Sequence, residues 1–293
     1  MLKKEFNIVL TFLVLVTISS CHRNEKVYES TSNAKKKRFE ITLGKFNKLV
    51  KSGDMDAKYD AAVNYFNKED YTKSLTLFEE LMSIYRGTAK AQEIQYYYAY
   101  CSYNLGDFIV AGYQFRSFVK NFPSSVHTEE CAYLNAYCFY LNSPDYSLDQ
   151  IDTKLAIKEF QRFTLSYPKS DRIPKCNELL DALRGKLERK SYESAMLYYN
   201  MSNYKSSIVA FGNHLKDFPD SKHVEELNYL IIRSYYLLAL NSIESKKQER
   251  FKFSVDTYIK FVDSFPNSKY LKEAEKVYTS ALKNLEKYNK PTS

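Results

Sequence analysis

Apolar and aromatic residues recur at helical spacing along this chain, and four times they recur in one phrase. The four copies are Phe115-x-x-Phe118-x-x-x-Phe122-Pro123-Ser124-Ser125, Phe160-x-x-Phe163-x-x-x-Tyr167-Pro168-Lys169-Ser170, Phe211-x-x-His214-x-x-x-Phe218-Pro219-Asp220-Ser221 and Tyr258-x-x-Phe261-x-x-x-Phe265-Pro266-Asn267-Ser268. Rings at i, i+3 and i+7 share one face of a helix. The proline forces the last aromatic out of the α region, so each helix must end there. The serine that follows can accept from the free N–H groups that open the next helix. A small residue precedes each first aromatic by four positions: Ala111, Ala156, Ser207 and Ser254. A degenerate fifth copy runs Ser74, Phe78, Leu81, Tyr85, with Arg86-Gly87 in place of the proline joint.

The small residue lies 12 positions before the proline in all four copies, whereas successive prolines are 45, 51 and 47 residues apart. A constant offset inside a unit and a variable one between units describe fixed helices joined by loops of changing length. Periods of this size mark helical solenoids. The pattern predicts a short amphipathic piece at 42–51, then helix pairs near 55–67 and 71–85, 89–104 and 108–121, and 127–141 and 153–167. Two further pairs fall near 172–200 and 203–218, and at 222–242 with a helix that follows a charged stretch (Glu244 to Arg250) and runs to Phe265. A closing helix is expected over 269–288.

Composition narrows the class to all-α. The chain of 293 residues is 44% hydrophobic and 27% charged, enough to bury a core, and its seven glycines are too few for the close-set turns of a β fold. The net charge of +8 is spread among mixed-sign helix faces, not gathered into the basic stripe a nucleic acid would need, so no nucleic-acid partner is expected. No phosphate-binding glycine loop or nucleophile elbow occurs, and the four histidines never pair at metal-binding spacing. His127 and Cys131 stand at i, i+4, a pair too small to make a metal site. No catalytic residue, metal or cofactor is therefore expected, and the chain reads as a non-enzyme.

The first 20 residues read as an export signal: Lys3 and Lys4, then the apolar run from Ile8 to Ile18. They end in Ile18-Ser19-Ser20-Cys21, which resembles a bacterial lipobox, so Cys21 is the expected site of lipidation. Acyl chains there would hold the protein on a membrane. Residues 21–40 are polar, lack a helical stripe and read as a flexible tether, and the helical array takes 41–293. Cys101, Cys131, Cys138 and Cys176 lie among apolar and aromatic neighbours and read as packed thiols, with disulfides left open by export to an oxidising compartment.

Within the pairs, Ala62 with Tyr65, Ala99 before Ala111, and Ala195 with Tyr198 resemble tetratricopeptide repeats. Units three and five fit only with an insertion of about eight residues, which places Ala136 and Ser234 in the same slot. The lipobox and five such repeats together resemble the BamD family of outer-membrane assembly lipoproteins. The resemblance is closest at Leu77–Leu81 through Tyr85–Thr88, at Tyr96–Cys101 with Leu105–Asp107, at Ser143-Pro144 with Ser147–Gln150, and at Glu244–Lys247. It implies a right-handed solenoid of about five helical hairpins with a C-terminal closing helix, and a non-enzymatic scaffold held by lipid on the periplasmic face of the outer membrane. The implied partners are unfolded outer-membrane proteins and the periplasmic domains of a BamA-like barrel insertase. Two other readings stay open: a cell-envelope scaffold linked to peptidoglycan or division proteins, and a glycan-binding lipoprotein, the latter weakened by the absence of Trp.

Stacked helical pairs place their first helices along a groove, where the tyrosine surplus Tyr96, Tyr97, Tyr98, Tyr100 and Tyr103 is expected to leave at least two rings for clients. The mixed charges Lys246, Lys247, Glu249, Arg250, Lys272, Glu273 and Lys276 are the expected docking face for the insertase. On this division 41–170 takes clients and 170–293 the insertase. Phe118, Phe163 and Phe261 share a core slot, and His214, its polar occupant in unit four, is expected at a partly wet edge.

Overall fold

The computed structural model describes residues 44–288, so the export signal of 1–20, Cys21 and the tether of 21–40 lie outside the described residues. All regular structure among the described residues is helical. A short helix α1 at 44–50 leads into α2 Met55–Asn67, α3 Tyr71–Ile84, α4 Lys90–Asn104 and α5 Phe108–Asn121. There follow α6 Thr128–Asn142, α7 Ile151–Ser166, α8 Ile173–Asn200, α9 Tyr204–Asp217, α10 Val224–Leu240, α11 Glu244–Ser264 and α12 Leu271–Leu285. The chain forms two compact units, one ending at Thr128 and one beginning at Glu129.

In the first unit α2 packs on α3, α3 on α4, α4 on α5, and α2 also meets α4, so the first hairpin is sealed by the first helix of the second. Its core gathers Phe46, Ala62, Leu77, Phe78, Leu81, Ile94 and Cys101. The second unit runs the same way through α7, α8, α9, α10, α11 and α12, with α12 covering both α10 and α11 as the closing helix. Helix α8 serves two pairings. Cys176, Leu179 and Leu183 join Ala136, Ala156, Phe160 and Phe163, while Ala195, further along the same helix, joins Phe211, Leu227 and Leu230.

Every small slot residue is fully buried, Ala136 and Ser234 of the two looser units included. Small residues let paired helices approach closely, and where the slot holds serine its hydroxyl finds a buried acceptor. Ser74 Oγ donates to the Ala62 carbonyl at 2.9 Å and Ser254 Oγ to the Ile232 carbonyl at 3.0 Å, as buried hydroxyls require. Turns within three of the hairpins pass through a left-handed residue, Glu69, Gly106 or Ser202, before an Asp or Asn N-cap.

The Phe/Tyr-Pro joint works as the sequence demands, with one refinement. Phe122, Tyr167, Phe218 and Phe265 all leave the helical region, at φ between −133 and −128°. The serine three residues on bonds back to that aromatic's carbonyl, and its hydroxyl accepts from the N–H two residues further: His127, Arg172, His223 and Tyr270, all at 3.1–3.2 Å. Serine thus closes a turn ahead of the helix; the residue just before the first turn of α8, α10 and α12 makes no side-chain cap. At the degenerate joint Tyr85 keeps φ −87°, Gly87 supplies the left-handed step at φ 83°, and Thr88 takes the serine's place by bonding to Tyr85.

Two expectations need correction. The charged stretch Glu244 to Arg250 is not a lead-in but the first two turns of α11, a helix of 21 residues. His214 is not at a wet edge: it is fully buried, like Phe118, Phe163 and Phe261 in the same slot.

Candidate binding surfaces

Helix α4 presents its tyrosines on two sides, and all five are half-buried. Tyr97 packs back toward the first hairpin, its centroid 4.8 Å from Phe66 and stacked on Phe78 at 5.4 Å. Tyr96, Tyr100 and Tyr103 turn to α5, meeting Phe118 at 6.1 Å, Phe115 at 5.3 Å and Phe108 at 5.6 Å. Tyr96 also lies 4.3 Å from the His127 ring. Burial pushes the Tyr98 phenol above its ordinary value, with Glu79 and Asp107 adding to the shift. These rings pack within and between hairpins first, and none of them is fully exposed.

A cleft of about 650 Å³ opens between α3, α4 and α5 of the same unit. Met82 and Ser83 of α3, Ala91 and Gln95 of α4, and Tyr113, Gln114, Ser117 and Asn121 of α5 line it, with Arg86 and Gly87 of the proline-less joint at its rim. Gln95 is 8% exposed. Its oxygen accepts from Asn121 Nδ2 at 3.2 Å, and its Nε2 reaches the Gln114 carbonyl at 3.4 Å, near the limit of a useful bond. Tyr113 stands 69% exposed beside this amide cluster. Sequence periodicity could not find the cleft, because its polar lining sits where any solvated helix face would be polar.

In the second unit the loop 143–150 is held from below by α8. Lys186 Nζ donates to Ser143 Oγ at 2.7 Å, Lys190 Nζ to the Leu148 carbonyl at 2.5 Å, and the Arg189 guanidinium lies 3.9 Å over the Tyr146 ring. Inside the loop the buried Gln150 donates to the carbonyls of Asp145 and Leu148 at 2.8 and 2.9 Å. Its sequence, part of the family resemblance, is therefore a built element and not slack.

A second cleft, about 560 Å³, lies between the middle of α8 and the joint after α9. His223 stacks on Tyr192 at 3.9 Å and pairs through Nδ1 with Glu226 at 2.9 Å. Burial and the Glu226 carboxylate push the Tyr192 phenol up to about 12. Beneath it His214 meets Tyr192 edge-on at 6.1 Å and Phe218 at 5.3 Å. Its Nε2 is 3.3 Å from Ser221 Oγ, while its Nδ1 is buried with no partner. Burial holds the His214 imidazole below its usual range.

The charged residues of the C-terminal helices divide in two. On α11 Lys246 pairs with Glu249 at 3.4 Å, Lys247 with Glu244 at 2.9 Å, and Arg250 bonds to Ser242. On α12 Lys272, Glu273 and Lys276 are exposed along the closing helix. The four described cysteines are free and buried. Burial pushes Cys101 up to about 11 and Cys131 and Cys138 up to about 12, so they stay as thiols at neutral pH.

The family profile described as YfiO, outer membrane lipoprotein, matches residues 51–250, which takes in most of both units. The outer membrane protein assembly factor BamD of Rickettsia prowazekii (strain Madrid E) is 22% identical over 212 residues, 72% of this chain and 80% of that protein. Among solved structures, the P58(IPK) TPR domain gives a TM-score of 0.38 at 15% identity, covering 81% of this chain and 68% of its own. The TPR2AB domain of yeast Sti1 in its pHSP90 complex gives 0.35 at 10% identity, over 78% and 98% of the two chains.

Proposed function

The chain belongs to the YfiO family of outer membrane lipoproteins, and from that membership we propose that it is a non-enzymatic scaffold of the outer-membrane β-barrel assembly machinery. Lipid on Cys21 holds it at the periplasmic face of the outer membrane. The first unit takes unfolded barrel clients, and the second docks on the periplasmic domains of a BamA-like insertase. The profile match over residues 51–250 carries this reading, and the name of the Rickettsia relative, an assembly factor, supports it. Stacked hairpins contact chiefly their neighbours, so two surfaces can serve two partners without sharing a core. On the second unit Lys272, Glu273 and Lys276 offer mixed charge at an exposed helix, the kind of face that orients a folded partner. Lys246, Lys247, Glu249 and Arg250 are already engaged locally, so they shape that face more than they reach beyond it.

Affinity purification of the chain from detergent-solubilised membranes tests the reading. A barrel insertase is the expected dominant partner; peptidoglycan-bound or division proteins in its place, or a glycan, would refute it.

A further inference from the structure

We infer that the cleft between α3 and α5, and not the tyrosine face of α4, holds an extended, uncharged stretch of client backbone. This inference rests on the client-binding role proposed above and names its site and chemistry.

The lining chooses the ligand. Gln95, Gln114 and Asn121 are carboxamides, and each offers both donor and acceptor atoms, as does every peptide unit. Asn121 donates to the Gln95 side-chain oxygen, and Gln95 Nε2 reaches the backbone carbonyl of Gln114 with only a long bond. The nearly buried Gln95 therefore keeps donor capacity at Nε2 that this one long bond does not use, and Ser83 and Ser117 add hydroxyls beside it. Met82, Ala91 and Phe122 supply an apolar lining, and Tyr113 stands at the side as an exposed ring. Met and aromatic rings accept side chains of varied shape. The lining carries one acid, Glu79, and one base, Arg86, so its charge sums to zero and neither an acidic nor a basic segment is favoured.

Size and position agree. About 650 Å³ is in the range of sites that bury a compact ligand, and a peptide extended through it advances about 3.3 Å per residue. The cleft adjoins the joint that lacks proline, where Gly87 has no side chain and nothing within 4 Å of a Cβ position. Tyr96, Tyr97 and Tyr100 of α4, by contrast, are engaged by ring contacts with Phe118, with Phe66 and Phe78, and with Phe115.

The test uses the full mature chain and a fluorescein-labelled peptide of alternating Val or Phe with Thr or Ser, free of charged side chains. Fluorescence anisotropy is expected to show binding that Tyr113→Ala and the isosteric Gln95→Met each weaken by about tenfold or more. The same peptide with alternate backbone nitrogens methylated should bind as weakly, which apolar docking alone would not require. Unchanged far-ultraviolet circular dichroism shows that the variants keep their fold, and a photoreactive residue at 117 should cross-link to the peptide. Binding that survives both substitutions, or that ignores backbone methylation, overturns the cleft assignment and leaves the client role standing. A wild-type chain that binds the insertase but none of these peptides overturns the client role and the cleft assignment with it.

Discussion

His214→Phe should stabilise the second unit and remove part of its acid sensitivity. The slot itself says that phenylalanine fits. The ring at this position lies 5.2 Å from the joint aromatic in the pairs Phe118–Phe122 and Phe163–Tyr167, and 5.4 Å in Phe261–Phe265; His214–Phe218 is 5.3 Å. The histidine carries a buried Nδ1 with no partner, a defect of about 1–3 kcal/mol. Removing it forfeits one long contact to Ser221, whose hydroxyl still accepts from His223 N–H. A net gain of about 1–2 kcal/mol near pH 7 follows from those two opposing terms.

The pH dependence has a definite sign. Burial, with a smaller push from His223, lowers the folded-state value of His214, against an opposing pull from Glu188 and Asp217. The unfolded chain then binds the proton more readily, so native stability falls as pH drops through the unfolded histidine value near 6.5. The advantage of the variant should grow by up to about 1.4 kcal/mol for each pH unit below that point. Urea denaturation of wild type and variant between about pH 5 and 7.5, with hydrogen exchange read in α9 and α10, measures it. Taking the difference between the two chains removes Glu226 and Tyr192, which both retain, and leaves His223 only through its coupling to His214. A destabilised variant, or a stability difference independent of pH, would refute the reasoning.

Further outcomes are expected elsewhere. Phe118→Ala, Phe163→Ala and Phe261→Ala each remove a ring that is at most 2% exposed and should cost about 3–5 kcal/mol in local stability; a loss under about 1 kcal/mol in denaturation would show that the slot relaxes. Lys58 is buried with its ammonium on the half-exposed Glu80 at 2.5 Å, so Lys58→Met should leave the melting curve nearly unchanged while Glu80→Ala, which strands the charge, costs at least about 1 kcal/mol. Cys21→Ala should yield an unlipidated chain absent from the outer-membrane fraction; a variant that still fractionates there would contradict the lipobox reading. A fragment of 129–293 should retain the insertase and one of 41–128 the client peptide in pull-downs; the reverse pairing would invert the proposed division.

That last cut differs from a division at 170, and the reason shows what could be read from sequence. Helix ends were legible because each is enforced locally: proline expels its predecessor from the helix, and serine closes the turn within three residues. The slots were legible because small and aromatic residues at fixed offsets have one way to pack. The looser units resolve in the same terms, with Ala136 and Ser234 fully buried despite the longer connections. Compactness, however, is not local. A cut at 170 would separate Phe160 and Phe163 from Cys176, Leu179 and Leu183, which share one core across α7 and α8. The 28 residues of α8 look in sequence like the opening of unit four alone, yet half of that helix completes unit three.

Binding surfaces obey the opposite logic, which is why the tyrosines stand out in the sequence and Gln95 does not. A run such as Tyr96-Tyr97-Tyr98 covers more of a helix than one interface needs only if each helix has one interface. In a stack, α4 has two, one toward the preceding hairpin and one toward α5, and the rings divide between them. An apparent surplus is then what a central helix requires. Gln95 is its converse. A glutamine at a polar helical position reads as solvated, and only the depth of its burial and the one long bond from its Nε2 mark it as a group with donor capacity to spare. Surplus apolar residues in a repeat point first to its neighbours; a nearly buried amide that lines an open cleft and keeps donor capacity unused points to what the repeat binds. The photoreactive group at 117 separates the two, since cross-links to peptide from there and none from position 100 are expected if that reading holds, and the reverse pattern would return the client to the tyrosine face.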